Sequence, residues 1–205
     1  MKLNARQLRD VKEEGISDKL QSIKRRPMYF ILENIYDTYN IGGLFRLADA
    51  LAIEKMYICG ESEIPPNSKI KKASIGTYKV VPWEYKKSAE EAIEELRSDV
   101  ILASDRRERA QNLNNDSGVA SLPRMTGKSI QIIAVEQHPT SIPYTKANCS
   151  TPVALILGNE TYGITEETLK QANQIVEIPM WGINKSLNVI VSAAIVSYFV
   201  ASKFQ

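Results

Sequence analysis

The chain has 205 residues, 43% of them hydrophobic, which is enough apolar material for one ordinary core. Its net charge of +2 excludes a protein that holds nucleic acid through overall charge, so any basic surface must be local. Two cysteines cannot form a metal cage, the N-terminus lacks a secretory signal, and the longest apolar run falls short of the roughly 20 residues that span a bilayer. We therefore expect a cytoplasmic protein with no metal and no membrane association.

Residues 1–26 form a basic N-terminal extension with eight Lys and Arg residues against four Asp and Glu residues. Its apolar residues allow one or two loosely amphipathic helices, interrupted near Gly15. The extension ends in Lys24, Arg25 and Arg26, directly before Pro27. It is either a solvated helix that docks on the main domain or an arm that contacts RNA.

From residue 28 onwards, strand-like and helix-like segments alternate. We predict strands at Met28–Leu32, Met56–Cys59, Val100–Ala103, Ile130–Val135, Val153–Leu157 and Ile175–Ile178. We predict helices at Ile41–Leu51, Ser88–Arg97, Thr165–Gln171 (with Thr165 as its N-cap) and from Leu187 to about Lys203. This alternation indicates an α/β domain with a mainly parallel sheet flanked by helices.

Residues 104–128 interrupt the alternation with a long polar loop that is rich in Asn, Ser, Gly and Arg. Loops of this length within a compact domain are usually functional or disordered, and the sequence leaves both interpretations open. No internal repeat or low-complexity tract is visible in the chain.

Two familiar kinds of site are excluded. Gly127-Lys128-Ser129 lacks the earlier glycine of a phosphate-binding loop, because position 122 is Leu, and no dinucleotide-binding glycine pattern follows any strand. His138 is the only histidine, and it precedes a proline in a loop with no nucleophile elbow nearby. Hydrolase chemistry that depends on histidine is therefore poorly supported.

The first of three segments with functional character runs from Asn34 to Arg46. Asn40 is a natural N-cap for the helix that we predict from Ile41, and the glycine pair that follows lets another backbone come close. Arg46 lies about one and a half turns into this helix. It is either a surface salt-bridge residue or an arginine held for a phosphate or carboxylate, and its apolar neighbours favour the second interpretation.

The other two segments also follow apolar strands. Leu157–Ile164 is a glycine-bounded turn with one acid, Glu160, which is either a plain connection or a loop that approaches a ligand. Ile178–Val189 brings Ser186 and Asn188 to the head of a buried helix, where open α/β sheets bind ligands.

Together the three segments resemble the sequence motifs of a known family, the SpoU (TrmH-like) class of SPOUT RNA ribose 2′-O-methyltransferases. The resemblance covers roughly Pro27 to the C-terminus, and all three motifs occur in order at suitable spacing. The motifs are Asn34-x5-Asn40-x-Gly42-x3-Arg46, then Leu157-Gly158-Asn159-Glu160-x2-Gly163-Ile164, and then Ile178-Pro179-Met180-x-Gly182-x3-Ser186-Leu187-Asn188-Val189.

The resemblance implies an α/β knot, with a deep C-terminal trefoil, formed by a methyltransferase domain over residues 27–205. It also implies a homodimer that binds S-adenosylmethionine at the knot, with the active site at the subunit boundary. The implied cofactor-binding residues are Val135, Glu136, Leu157, Gly158, Glu160, Gly163, Ile178, Met180, Ser186 and Leu187. The implied catalytic residues are Arg46, Asn40, Ser186 and Asn188.

By the same resemblance, the chain is expected to transfer a methyl group to a ribose 2′-hydroxyl of tRNA or rRNA. Arg46 would either remove the hydroxyl proton or hold the neighbouring phosphate. Without room for a separate RNA-binding domain, recognition would fall to the extension, the long loop and the partner subunit. The candidate residues of this chain are Lys24, Arg25, Arg26, Arg106, Arg107 and Arg109. The alternative is a catalytically silent RNA-binding or assembly protein that keeps the same fold.

Overall fold

A computed structural model describes residues 4–10, 23–100, 102 and 129–204 of the chain. Seven strands form one sheet in the order β3-β2-β1-β6-β4-β7-β5, and all six neighbouring pairs are parallel. The strands are β1 (Arg26–Glu33), β2 (Ile53–Cys59), β3 (Trp83–Lys86), β4 (Gln131–Val135), β5 (Ile142–Pro143), β6 (Val153–Leu157) and β7 (Gln174–Glu177). The predicted α/β architecture with a mainly parallel sheet is therefore confirmed.

Helices cover both faces of the sheet. They are α1 (Ala5–Asp10), α2 (Thr38–Leu51), α3 (Ser68–Ser74), α4 (residues 89–100), α5 (Glu166–Leu169) and α6 (Val189–Ala201). Short 3-10 turns lie at Thr77–Lys79 and Tyr144–Lys146. Within the described ranges, no helix is both long and apolar enough to cross a membrane.

The register of the parallel strands sorts the core into two layers. Met56, Phe30, Leu155 and Ile133 are paired in one row across four strands, and all of them pack in the cluster that holds α2, α3 and α6. The next row points to the other face, where Ile156 and its neighbours pack against α4 and α5. Because successive strand residues alternate between faces, both faces of the central strands are apolar and both need a helical cover.

Most predicted elements occur, with shifted ends. The clearest error is the strand at Val100–Ala103, because Val100 and Leu102, the two described residues of that range, are helical. Helix α2 begins at Thr38, so Asn40 lies inside it and is not its N-cap. Asp37 caps this helix instead, since its side chain accepts a hydrogen bond from the backbone N–H of Tyr39.

Other predictions hold or cannot be judged. Thr165 is the N-cap of α5, as predicted. Strands β3 and β5 and helix α3 were not predicted. The loop at 104–128, with Arg106, Arg107 and Arg109, lies outside the described residues.

The strand order places a crevice at the carboxyl ends of the strands. The chain runs outward from β1 to β2 and β3, and the later strands lie on the other side of β1. In open parallel sheets, ligands bind beyond the carboxyl ends of the strands at such a switch of direction. The loops after β1, β4, β6 and β7 all meet at these carboxyl ends.

Candidate active site

A cleft of about 250 Å³ opens at the carboxyl ends of β4, β6 and β7. All ten residues predicted to bind a cofactor line it: Val135, Glu136, Leu157, Gly158, Glu160, Gly163, Ile178, Met180, Ser186 and Leu187. The cleft also contains residues to which the sequence analysis gave no role: Gln137, Asn159, Thr161, Val176, Glu177, Lys185, Val189 and Ser192. Three distant segments of the chain therefore share one cavity.

The turn at residues 158–164 forms one wall of the cleft and is closed on itself. Asn159 and Gly163 exchange two backbone hydrogen bonds, of 3.1 and 2.9 Å, and Gly163 has a left-handed φ of 72°. A Cβ atom at Gly158 would lie 2.6 Å from the backbone of both Gly163 and Ile164. Glycine is therefore required at position 158 for the two arms of the turn to approach each other.

Asn159 belongs to the second motif, but no role at the site was predicted for it. Its Oδ1 accepts hydrogen bonds from the backbone N–H groups of Thr161 and Tyr162, at 2.8 and 2.9 Å, which holds the turn. Its Nδ2 donates to the backbone carbonyl of Asn34 at 2.7 Å, which ties the turn to the end of β1. An asparagine between a glycine and an acid in a turn could have indicated this role.

Two carboxylates anchor the C-terminal end of the same wall. Glu136 Oε2 accepts a hydrogen bond from the backbone N–H of Ile164 at 3.0 Å. Glu33 is buried, and its carboxylate accepts from the backbone N–H of Thr165 at 3.1 Å and from the Thr168 hydroxyl at 2.8 Å. Glu33 was also missed, although a lone acid that ends an apolar strand was a visible signal.

Side-chain amides link the three segments at the edge of the cleft. Asn188 Nδ2 donates to Asn40 Oδ1 at 3.0 Å, and Asn40 Nδ2 donates to Glu160 Oε1 at 2.6 Å. Asn188 is also the N-cap of α6, since its Oδ1 accepts from the backbone N–H of Ile190. Each asparagine side chain is fixed through both its oxygen and its nitrogen. Asn40 therefore presents its N–H group to Glu160, whose carboxylate is held as the hydrogen-bond acceptor.

A close helix crossing makes this chain of amides possible. A Cβ atom at Gly43 would lie 2.3 Å from Cδ1 of Ile190, so α2 and α6 approach more closely than a side chain at position 43 would allow. Gly43 follows Asn40 by three residues and therefore lies on the same side of α2. The glycine thereby brings Asn40 within reach of Asn188.

Of the four predicted catalytic residues, Arg46 is the one that lies apart. Asn40 and Asn188 are bonded to each other and Ser186 lines the cleft, but Arg46 is exposed and does not line it. Within the described part of the chain, its guanidinium makes no hydrogen bond or ion pair, so it is available to a partner. The surface salt bridge considered from the sequence is thus absent from these residues.

Lys24, Arg25 and Arg26 lie at the start of β1, at the amino ends of the strands, opposite the cleft. Arg25 donates to the backbone carbonyls of Ile53 and Val80, at 3.1 and 2.8 Å, and Arg26 donates to that of Ala201 at 3.3 Å. Both guanidiniums therefore bind elements of the fold, whereas Lys24 is exposed. The structure does not bring these three residues to the cleft.

A charge cluster away from the cleft joins β2, β3 and α4. Lys55 Nζ lies 2.5 Å from Glu84 and 3.2 Å from Glu95, Lys86 contacts both acids, and the Tyr57 hydroxyl donates to Glu95. The hydrogen bonds of the two lysines lower the pKa of Glu84 below its ordinary value. This cluster is structural, because its charges satisfy one another.

Among the described residues, no group of acidic, histidine or cysteine side chains is arranged to hold a metal.

The cleft and the side-chain amides at its edge bring together the three motif segments of the sequence. Comparison with known proteins assigns these motifs to a family. The model of the SpoU rRNA Methylase family matches residues 27–122 and 103–198, which is most of the chain. The chain belongs to this family. The resemblance inferred from the three motifs is therefore confirmed.

Relatives of this SpoU-family chain are named as RNA methyltransferases. The chain is 25% identical to the 23S rRNA (guanosine-2′-O-)-methyltransferase RlmB of Neisseria meningitidis, over 88% of this chain and 60% of that protein. It is 22% identical to the tRNA (guanosine(18)-2′-O)-methyltransferase of Escherichia coli, over 85% of this chain and 63% of that protein.

Among solved structures, the SpoU methyltransferase AviRb from Streptomyces viridochromogenes, in complex with the cofactor AdoMet, superposes with a TM-score of 0.67. That comparison covers 91% of this chain and 64% of AviRb at 20% identity, and it shows a shared fold. The chain thus spans less than two thirds of the length of each of these three proteins.

Proposed function

We propose that this SpoU-family chain is an S-adenosylmethionine-dependent RNA methyltransferase that transfers a methyl group to a ribose 2′-hydroxyl of tRNA or rRNA. The observation that carries the proposal is the convergence of all ten expected cofactor residues on one cleft, with the Asn188–Asn40–Glu160 chain at its edge. The names of the relatives support RNA ribose as the acceptor.

The composition of the cleft fits this cofactor. Apolar side chains from the strand ends and the last loop offer a surface for an adenine ring. Three acids, Glu136, Glu160 and Glu177, line the same cavity, and they suit the positive charge of a sulfonium. When bound, S-adenosylmethionine supplies the methyl group that is transferred.

The residues of the chain would orient the acceptor. Asn40 and Asn188 hold each other and Glu160 in fixed positions, and this reduces the motion of the groups around the reacting atoms. A guanidinium is a poor base, because its pKa exceeds about 12. We therefore assign Arg46 to the phosphate beside the target ribose, where two N–H groups can bind two oxygens.

Two finer expectations remain proposals: a homodimer and a trefoil knot. Apolar side chains exposed on and before α6 support the dimer, namely Leu187, Val191 and Tyr198 at 37%, 45% and 55% exposure. An active site shared between subunits would let Arg46 of one protomer reach the cleft of its partner. For the knot, the support is that β7 lies between β4 and β5, which both precede it in the chain.

The decisive experiment measures methyl transfer from radiolabelled S-adenosylmethionine to RNA from cells that lack this gene, followed by mapping of the modified nucleotide. We expect one methylated site, and we expect Arg46→Ala to abolish transfer while cofactor binding measured by calorimetry is unchanged. Binding of the cofactor and RNA without transfer would instead identify a silent RNA-binding protein. No binding of the cofactor would refute the proposal.

Coexpression of two inactive variants tests the shared site. An Arg46→Ala protomer and a protomer blocked in the cleft by Gly158→Val form one intact site per mixed dimer if Arg46 acts across the interface. About a quarter of wild-type activity should then return, because half of the dimers are mixed and each has one of two sites. A mixture that remains inactive would show that Arg46 serves its own cleft or that no dimer forms, and light scattering separates these two results.

A further inference from the structure

A strongly basic surface lies outside the cleft, on helices α1 and α3. Its members are Arg6 and Arg9 of α1 and Lys69, Lys71 and Lys72 of α3, and all five side chains are exposed. We call these five residues the basic face. Helix α3 has the sequence Ser-Lys-Ile-Lys-Lys-Ala-Ser and carries no acid.

Contacts between the N-terminal helix and the segment after α3 make this surface continuous. A Cβ atom at Gly76 would lie 2.6 Å from the backbone oxygen of Leu8, and Lys79 Nζ donates to the backbone carbonyl of Arg9 at 3.3 Å. Because Gly76 follows the end of α3 by two residues, the arginines of α1 are held beside the lysines of α3. The sequence left two interpretations of the extension open, a helix that docks on the main domain and an arm that contacts RNA. For residues 5–10 the two do not exclude each other.

The basic face adjoins the helix that carries the proposed catalytic residues. A Cβ atom at Gly42 would lie 2.5 Å from Cβ of Ala73 and 2.9 Å from the backbone nitrogen of Ser74, so α2 and α3 are in close contact. Arg46 follows Gly42 by four residues, which is about one helical turn. A polyanion bound to α3 is therefore close to Arg46.

The charges of the basic face are not neutralised by the fold. Over residues 4–10, 23–100, 102 and 129–204, none of its five side chains forms an ion pair or a hydrogen bond. On these two helices the five cations face a single acid, Asp10 at the end of α1. Holding so many like charges together is unfavourable, unless an anionic partner binds to them.

The opposite face of the sheet has the opposite charge. Helix α4 packs there, in the second core layer. Apart from Glu95, which pairs with Lys55 and Lys86, its acids are Glu90, Glu91, Glu94 and Asp99. The net charge of the chain is only +2, so its total charge gives a bound polyanion little direction. The separation of positive and negative charge would orient it instead. RNA would be repelled from α4 and attracted to α3.

We infer that the basic face binds phosphates of the substrate RNA on either side of the nucleotide that is methylated. This inference rests on the proposed function and adds to it the surface that holds the RNA. A membrane-binding helix would present apolar residues for insertion, but Ile70 of α3 is fully buried in the core. Exposed cations without apolar neighbours are typical of contacts with a phosphate backbone.

The test compares two variants with the same change in charge. In the first, Lys69, Lys71 and Lys72 are replaced by Gln. In the matched control, Lys87, Lys146 and Lys170 are replaced by Gln; these lysines are exposed and lie outside α1, α2 and α3. The probe is a fluorescent single-stranded RNA of about 20 nucleotides, titrated at several salt concentrations.

For the first variant, we expect the slope of log affinity against log salt to fall by about 2, since each lost contact on a single strand contributes roughly 0.7. Its affinity at about 0.1 M salt should fall roughly 10- to 100-fold, and the KM for substrate RNA should rise in proportion. The control variant should stay close to wild type, and affinity for S-adenosylmethionine should be unchanged in both.

The outcomes separate this inference from the proposed function. If wild type methylates RNA and the first variant keeps its salt slope and KM, the basic face does not bind RNA. An equal loss in both triple variants would indicate general charge attraction and would also refute the inference. If wild type transfers no methyl group, the proposed function fails independently. Binding to anionic lipid vesicles at the same salt, lost only in the first variant, would assign the face to a membrane instead.

Discussion

Replacing Gly158 with alanine should distort the wall of the cleft without straining the backbone of residue 158 itself. Its φ is not in the left-handed region, so the effect is steric. The new Cβ would lie 2.6 Å from the backbone of Gly163 and Ile164, whereas ordinary contact begins at 3.4 Å. Closely packed interiors resist such shifts, so the turn would retreat by roughly 0.8 Å at a cost of about 1–3 kcal/mol.

Two measurements check this prediction. The melting temperature of Gly158→Ala should fall by about 3–10 °C, since 1 kcal/mol corresponds to about 2–4 °C in a chain of this size. Calorimetric affinity for S-adenosylmethionine should fall roughly 10- to 100-fold, because the displaced turn lines the cleft. Gly182→Ala is the matched control, since nothing lies within 4 Å of a Cβ at that position. A Gly158→Ala protein with unchanged melting temperature and affinity would refute the reasoning.

Three further predictions follow from the contacts described above. Asn40→Ala removes the donor that lies 2.6 Å from Glu160, so the single-turnover rate of methyl transfer should fall at least roughly tenfold, and an unchanged rate would contradict the proposed role. Gly42→Ala places a Cβ 2.5 Å from that of Ala73 on α3, so urea unfolding should show a loss of about 1–3 kcal/mol, and an unchanged midpoint would count against this close packing. Glu84 has a folded pKa below its ordinary 4.5, owing to hydrogen bonds from two lysines, so its contribution to stability is present above that pH and is lost as the pH falls. Glu84→Gln should therefore show a shallower loss of stability between about pH 5 and pH 3, and equal slopes for variant and wild type would disprove the assignment.

The success of the fold prediction varied with the strength of the local pattern. Strand β6 was predicted with its observed ends, because Val153–Leu157 is a fully apolar run that is buried on both faces. The error at Val100–Ala103 arose because four apolar residues fit a strand as well as the end of a buried helix. Strand β3 was missed because Trp83–Lys86 includes two charged residues at the edge of the sheet.

The sequence by itself determined the three segments of the site and the family, because motif spacing and apolar strand ends are local properties of the chain. Only the tertiary structure decided how those segments meet. Asn40 binds Glu160 and Asn188, which lie 120 and 148 residues away, because parallel strands bring their carboxyl ends to one edge of the sheet. It also decided that Arg46 is exposed and away from the cleft, and that Glu33 holds the wall of the cleft through Thr165. Periodicity shows which side of an element is buried, but it does not specify which distant element covers that side.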